Sequence, residues 1–301
     1  MRVFVTGASG WIGSAVVPEL LGAGHEVVGL ARSDASAAAL REAGAAVQRG
    51  NLDDLDSLRA GAMASDGVIH LAYVHDFSQF DQNARIDRQA IKAIGAELEG
   101  SDRPFVIAGG TAALAPGRVS TERDTVAADH PLRARAVSEE TALALSGKGV
   151  RSSSVRLAPT VHGNGDHGFT AMIVAVAREK GVSAYVGDGS NRWPAVHRLD
   201  AAHLFRLALE GAPAGTALHG IADEGVPLRV VADVIGRHLD LPVASMTPEE
   251  AVERLGLVGR LLAGDIPSSS TLTRELLGWQ PVQPGLLEDL EKGHYFRAPA
   301  V

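Results

Sequence analysis

The densest chemical signal stands at the start of the chain, in Thr6-Gly7-Ala8-Ser9-Gly10-Trp11-Ile12-Gly13, three glycines spaced as GxxGxxG. The run before it (RVFVT, 2–6) is apolar, and the residues after it read as a helix over 12–21. Glycines permit a tight turn, let the backbone approach a pyrophosphate and let the following helix pack close to a sheet. Free N–H groups at the helix start meet the phosphate charge. A glycine trio by itself could be an ordinary turn; between an apolar strand and a helix it implies dinucleotide binding. The turn residues for that ligand are Thr6, Gly7, Ser9, Gly10, Trp11, Ile12 and Gly13.

Other reactive side chains cluster at strand ends and in one glycine-rich loop. His162 and His167 bracket Gly163-Asn164-Gly165-Asp166, and Arg192, Trp193 and His197 lead toward a later helix. His162, Arg192, Trp193 and His197 are candidates to face a substrate. Two histidines and Asp166 invite a metal reading, but nothing in the spacing fixes a coordination geometry, so substrate contact or loop hydrogen bonding is the more natural role. Asp200 most simply caps the helix over 201–210, and Trp279 reads as core.

These residues need a frame, and the hydrophobic pattern supplies one. Short apolar runs at 2–6, 26–30, 45–49, 67–72, 105–109 and 150–157 alternate with helical stretches at 12–21, 35–43, 54–62, 81–98 and from Pro131 to Leu145. Asp34 can cap the second helix, and Pro131 suits the first turn of the last. Strand and helix alternating with short connections mean a parallel sheet covered on both faces, an α/β doubly wound architecture. Past residue 160 the rhythm loosens, and Thr247-Pro248-Glu249-Glu250 is a capping box that starts a further helix. The expected division is a nucleotide-binding domain over 1–160, with return segments near 195–222, and a smaller C-terminal lobe over 161–301 that binds substrate.

Composition narrows the partners. The 301 residues are 46% hydrophobic and 21% charged, as in an ordinary folded domain. Lys and Arg number 28 against 36 Asp and Glu, a net charge of −8 without long runs of either sign, which argues against nucleic acid or an anionic membrane as main partner. Zero cysteines exclude disulfide scaffolds, cysteine-ligated zinc and thiolate catalysis. With no basic-then-apolar leader at the start and no long apolar stretch, a cytoplasmic protein is expected.

The chain resembles the short-chain dehydrogenase/reductase superfamily in its extended or atypical branch, the NAD-dependent epimerase/dehydratase group. The likeness rests on the glycine turn, His70-Leu71-Ala72, Arg156-Leu157-Ala158-Pro159, His197-Arg198-Leu199-Asp200 and Leu276-Leu277-Gly278-Trp279-Gln280-Pro281, and so covers nearly the whole chain. It implies a Rossmann sheet with a small substrate lobe, Leu71, Ala72 and Pro159 flanking the nicotinamide half, and Asn51 and Leu52 by the adenine. Cofactor choice follows from the end of the second strand, Gly29-Leu30-Ala31-Arg32-Ser33. A carboxylate there would bind the ribose 2′-OH and repel a 2′-phosphate; Arg32 and Ser33 offer the phosphate donors instead, which favours NADP(H) over NAD(H).

The resemblance breaks at the catalytic motif. The family's YxxxK tyrosine falls on Pro131 and its lysine on Arg135, its serine on Thr111 and its asparagine on Asp87. Proline has no proton to transfer, and the high pKa of arginine makes it a poor carrier, though Arg135 could bind the nicotinamide ribose. Thr111 can take over the serine's hydrogen bond. Tyr73 and His75 directly follow the fourth strand, where the nicotinamide should lie. Tyr73 is either the acid or a packing residue over the cofactor, and His75 either an acid/base or a solvent-exposed side chain. Two functions are carried forward. One is an NADP(H)-dependent oxidoreductase or epimerase/dehydratase acting by hydride transfer on a small carbonyl, alcohol or sugar-type substrate. The other is an NADP(H)-binding sensor or scaffold with little turnover. Extended relatives pair through the helices after the fourth and fifth strands, so a homodimer is expected through Ile86, Ala90, Ile94, Ala134, Val137 and Leu145.

Overall fold

Residues 1–297 are described by a computed structural model. The first half alternates without exception: β1 (Arg2–Thr6), α1 (Gly13–Gly22), β2 (Glu26–Ala31), α2 (Asp34–Glu42), β3 (Ala46–Arg49), α3 (Leu55–Met63), β4 (Gly67–His70), α4 (Phe80–Leu98), β5 (Pro104–Gly110), α5 (Arg133–Leu143) and β6 (Arg151–Leu157). The chain then passes through β7 (Thr160–His162), α6 (Phe169–Lys180), β8 (Ser183–Val186) and β9 (Arg192–His197), and returns to the large sheet by α7 (Arg198–Gly211) and β10 (Thr216–Gly220). It ends with β11 (Asp223–Pro227), α8 (Leu228–Leu239), β12 (Val243–Met246), α9 (Pro248–Leu255), α10 (Leu257–Leu262), α11 (Thr271–Leu277) and α12 (Leu286–Glu291).

Seven parallel strands form the large sheet in the order β10-β6-β5-β4-β1-β2-β3. Successive side chains on a strand point to opposite faces, so each strand feeds two cores. Val3, Val5, Ile69, Val106 and Val155 pack with Val16 and Leu20 of α1 and Leu204 and Phe205 of α7. Phe4, Val68, Phe105 and Ile107 pack on the other face with Leu58 of α3, Ile91 and Ile94 of α4 and Ala142 of α5. Because both faces are covered, the strands read as unbroken apolar runs. After β3 the chain crosses back to β4 on the far side of β1, so a crevice opens where the C-terminal ends of β1 and β4 diverge. Ligands of open α/β sheets bind at such switch points.

The smaller lobe joins β11-β9-β7 and β12-β8 to α6, α8, α9, α10 and α12. Its core holds Trp193, Val231, Ile235, Met246, Leu255 and Leu290. Thr247 and Glu250 make the reciprocal capping box that opens α9, and Trp279 is fully buried. Among the described residues no helix is long and apolar enough to cross a membrane.

Three local expectations are corrected. Ser33, not Asp34, caps α2, because its hydroxyl accepts from Ser36 N–H at 3.2 Å while Asp34 turns to Arg49. His197, not Asp200, caps α7 through Nδ1 and Leu199 N–H; Asp200 instead accepts from the backbone N–H groups of Val282 and Gln283 at 2.9 and 3.0 Å. Pro131 lies outside α5 in an exposed turn closed by Arg133 N–H on the His130 carbonyl, so the helix begins two residues later.

Candidate active site

The glycine turn closes as its spacing predicts. Gly7 has φ +65°, and a Cβ there would lie 2.6 Å from Ala72 N; a Cβ on Gly13 would lie 2.2 Å from the Gly7 carbonyl oxygen. Both neighbours are backbone, which cannot step aside, so the turn excludes side chains at these two positions. Gly10 N–H donates to the Gly7 carbonyl, Ser9 is exposed, and Ile12 is half-buried at the start of α1. The resulting hollow backbone surface at a helix N-terminus fits a dinucleotide pyrophosphate. Thr6 does not face outward: it is fully buried, accepting from Ala72 N–H and bonded to His70.

A hollow of about 340 Å³ at the ends of β2 and β3 is lined by Ala31, Arg32, Ser33, Asp34, Arg49, Gly50 and Asn51. Arg32, Ser33 and Asn51 therefore meet as expected, although the Ser33 oxygen serves its helix and Asn51 Oδ1 accepts from Asp53 and Asp54 N–H. Leu52 sits half-buried against the core below. Arg49 is the residue that sequence reasoning misses. The parallel register places it opposite Ala31, so a second cation stands beside Arg32, paired with exposed Asp34. No local signal marks it, because its meeting with Arg32 depends on the register of β2 and β3.

At the crevice end of β4, Leu71 and Ala72 are half-buried, and Pro159 takes the matching place between β6 and β7. Asp87 and Arg135 come together as the resemblance implies. Arg135 donates to Asp87 Oδ2 and, at 2.6 Å, to the Ala108 carbonyl, while His70 Nε2 approaches Asp87 Oδ1 at 3.3 Å. Burial opposes charge on Asp87, but Arg135 and His70 outweigh it and hold the carboxyl at about 2. The Arg135 guanidinium lies under the Tyr73 ring, 4.2 Å from its centroid, and His75 meets Tyr73 edge-on at 5.2 Å.

The Tyr73 hydroxyl is enclosed and has no hydrogen-bond partner among the described residues. Burial pushes its pKa up, Arg135 pulls it back and Asp87 adds to the rise, so the phenol keeps its proton at neutral pH. Desolvation lowers the His75 pKa, reinforced by the charge of Arg135. Thr111 is nearly buried at the end of β5, its hydroxyl 3.4 Å from the Leu157 carbonyl, and it must turn from that contact to reach a ligand.

The small-lobe candidates fall elsewhere. Trp193 is core, edge-on to Phe169 and donating from Nε1 to the Gly264 carbonyl; it offers no face to a substrate. Arg192 is committed to Asp265 through Nε and Nη2 at 3.1 and 2.9 Å. His162 is fully buried with Nδ1 3.0 Å from Asp289, and His197 packs edge-on to it at 5.4 Å. These four residues build the lobe, because each meets a packing or hydrogen-bonding neighbour that local sequence does not reveal. Among the described residues no group of His, Cys, Asp and Glu is placed to hold a metal ion. What does approach the glycine turn is β7 with the loop that follows it. Trp11 donates from Nε1 to the Val161 carbonyl at 2.9 Å, packs edge-on to His167 and carries the Arg198 guanidinium on its ring at 4.4 Å.

Comparison with known proteins adds a family and a set of folds. A model described as the NAD dependent epimerase/dehydratase family matches residues 3–219. An uncharacterized protein of Schizosaccharomyces pombe is 50% identical over 297 residues, 98% of this chain and 100% of that protein. Among solved structures, UDP-glucose 4-epimerase of Thermotoga maritima with UDP-glucose matches with TM-score 0.77 at 19% identity, over 98% of each chain. The dTDP-glucose 4,6-dehydratase of Streptomyces venezuelae with NAD bound matches with TM-score 0.76 at 20% identity, over 97% of this chain and 96% of that one. At such identities the likeness to the solved structures is one of fold.

Proposed function

Since the chain belongs to the NAD dependent epimerase/dehydratase family, we propose that it is an NADP(H)-dependent oxidoreductase or epimerase/dehydratase acting on a small carbonyl, alcohol or sugar-type substrate. The observation that carries the reading is the enclosed, unpartnered Tyr73 hydroxyl, held over Arg135 beside the glycine turn. Gly7 and Gly13 leave room for the dinucleotide, and the two arginines beside Asn51 supply charge for a 2′-phosphate. The nicotinamide, when bound, supplies or accepts the hydride. Once the ring shifts to open its enclosed hydroxyl to the crevice, Tyr73 gives its proton to the substrate oxygen as that oxygen gains negative charge, and Arg135 stabilises the phenolate left behind. His75, at the surface end of the pair, returns a proton from solvent. Thr111, once turned from Leu157, orients the substrate oxygen.

The test is consumption of NADPH fluorescence with a panel of ketones, aldehydes and nucleotide sugars. Tyr73→Phe is expected to lower turnover on the order of a hundredfold or more while leaving NADPH affinity unchanged. Full activity in that variant overturns the assignment. The sensor reading draws on the ties of Arg135 to Asp87 and Ala108 and of Thr111 to Leu157. Tight NADPH binding with no turnover across the panel would favour it.

A further inference from the structure

A polar chain runs through the interior beneath the crevice, and its middle member has no part in the reading above. Ala72 N–H donates to Thr6 Oγ1 at 3.3 Å, Thr6 Oγ1 lies 2.8 Å from His70 Nδ1, and His70 Nε2 lies 3.3 Å from Asp87 Oδ1. The other Asp87 oxygen takes Arg135, which carries the Tyr73 ring. Thr6, His70 and Asp87 are 0%, 2% and 0% exposed, so every proton in the chain needs a protein partner. That requirement assigns the directions. Thr6 Oγ1 already accepts from Ala72, and its own proton has His70 Nδ1 as acceptor. The imidazole hydrogen on Nε2 is then the one donated to Asp87.

We propose that His70 is a positioning residue, which orders the Asp87 carboxylate so that Arg135 stays beneath Tyr73, and which ties the glycine turn to the proton donor through a hydrogen-bonded network that ends in the Arg135–Tyr73 ring contact. The chemistry supports this over simple core filling. A carboxylate in a closed site with Arg135 as its sole partner could rotate about that contact, and a second donor on the opposite oxygen fixes the carboxylate plane. The planar guanidinium is also held by the Ala108 carbonyl, so small rotations of Asp87 move it relative to the ring it supports. At the other end, Thr6 immediately precedes Gly7, whose would-be Cβ touches Ala72 N, the same N–H that opens the chain. The inference rests on the reading of Tyr73 as proton donor for its catalytic consequence, but its geometric content can be tested without any substrate.

Two substitutions divide the imidazole into its halves. His70→Gln keeps an amide N–H within reach of Asp87; His70→Asn keeps an amide near Thr6 but falls short of Asp87. The first readout is spectrophotometric titration of the tyrosinate, with Tyr73 isolated by subtracting the curve of the same protein carrying Tyr73→Phe. The charged and titratable groups acting on Tyr73 and its neighbour are Arg135, Asp87, His75 and His167. With Arg135 no longer held under the ring, Tyr73 is expected to titrate at higher pH in His70→Asn and near the wild-type value in His70→Gln. Once a substrate is in hand, kcat in His70→Asn should fall on the order of a hundredfold, with KM and NADPH affinity within about threefold and most of the loss restored by Gln. A folded His70→Asn with an unchanged Tyr73 midpoint overturns the proposal, as do equal shifts in both variants. If instead Tyr73→Phe keeps full activity while the midpoints move as described, the positioning stands and the proton-donor assignment fails.

Discussion

Arg32 carries the cofactor assignment at the level of single residues. It is exposed at the rim of the hollow that Arg49 and Asn51 share, and the one carboxylate there, Asp34, is already paired with Arg49. A 2′-phosphate would meet two cations and one neutralised anion. Replacing Arg32 with Asp removes a charge-assisted pair and adds repulsion, together about 1.5 to 3 kcal/mol, so NADPH should bind roughly ten- to a hundredfold more weakly. NADH, lacking the phosphate, should be little changed. Fluorescence titration of both nucleotides checks this, and unchanged NADPH binding in Arg32→Asp would refute the role. Arg32 is legible in the sequence because it follows an apolar run by one residue. Arg49 is not, since its meeting with Arg32 depends on a strand register that only the sheet specifies. The same limit hides the Arg135–Tyr73 stack, in which two residues far apart in the chain meet across the ends of β4 and β5.

At the level of elements, the strands and helices up to β6 are closely legible, because burial on both faces leaves continuous apolar runs that glycines interrupt, whereas most elements past residue 160 are not. Helix caps are less legible: Ser33 and Asp34 are both chemically competent, and the choice falls to whichever lacks a better partner, here decided by Arg49. The loop after β7 is legible only coarsely for a related reason. Its histidines and Asp166 admit substrate contact or loop hydrogen bonding, and the choice falls to residues far away in the chain: Asp289 meets His162, Tyr295 meets Asp166, and Trp11 meets His167. Tyr295 donates to Asp166 Oδ2 at 2.9 Å and accepts from Gly163 N–H at 3.1 Å, which pins the loop that rests on Trp11 of the glycine turn. Tyr295→Phe removes both bonds and leaves a half-buried N–H without its acceptor, at a cost of about 1 to 3 kcal/mol. NADPH affinity should fall severalfold as the loop loosens over Trp11. Urea unfolding and NADPH titration on the same variant check the two effects. A stability loss with wild-type NADPH affinity would mean that the loop does not act on the cofactor turn.

For the whole molecule, assembly and acid stability draw on the same two helices. Of the six residues expected to pair two copies, Ala90, Ile94 and Leu145 are buried in the chain's own core, which leaves Ile86, Ala134 and Val137 on the outer face of α4 and α5. The homodimer we propose therefore rests on a narrow apolar strip, and light scattering at micromolar concentration should show it for the wild type and a monomer for Val137→Glu; a wild-type monomer would sink the idea. The inner face of this helix pair carries Asp87, and there the sign of a pH effect can be worked out. Its carboxyl sits at about 2 in the folded protein against an ordinary 3.8, so the folded state holds fewer protons than the unfolded one between those values. Stability from this group is complete above about pH 4 and drains away as pH falls toward 2, in total roughly 2 to 3 kcal/mol. Asp289, whose carboxyl is also held low against its burial by His162, adds in the same direction. Asp87→Asn takes this contribution away and leaves Arg135 without its carboxylate. Urea midpoints of wild type and variant should lie far apart at pH 7 and converge as pH approaches 2.5. Curves that stay parallel across that range would show that the Asp87–Arg135–His70 contact does not stabilise the fold, even though all three groups remain in place.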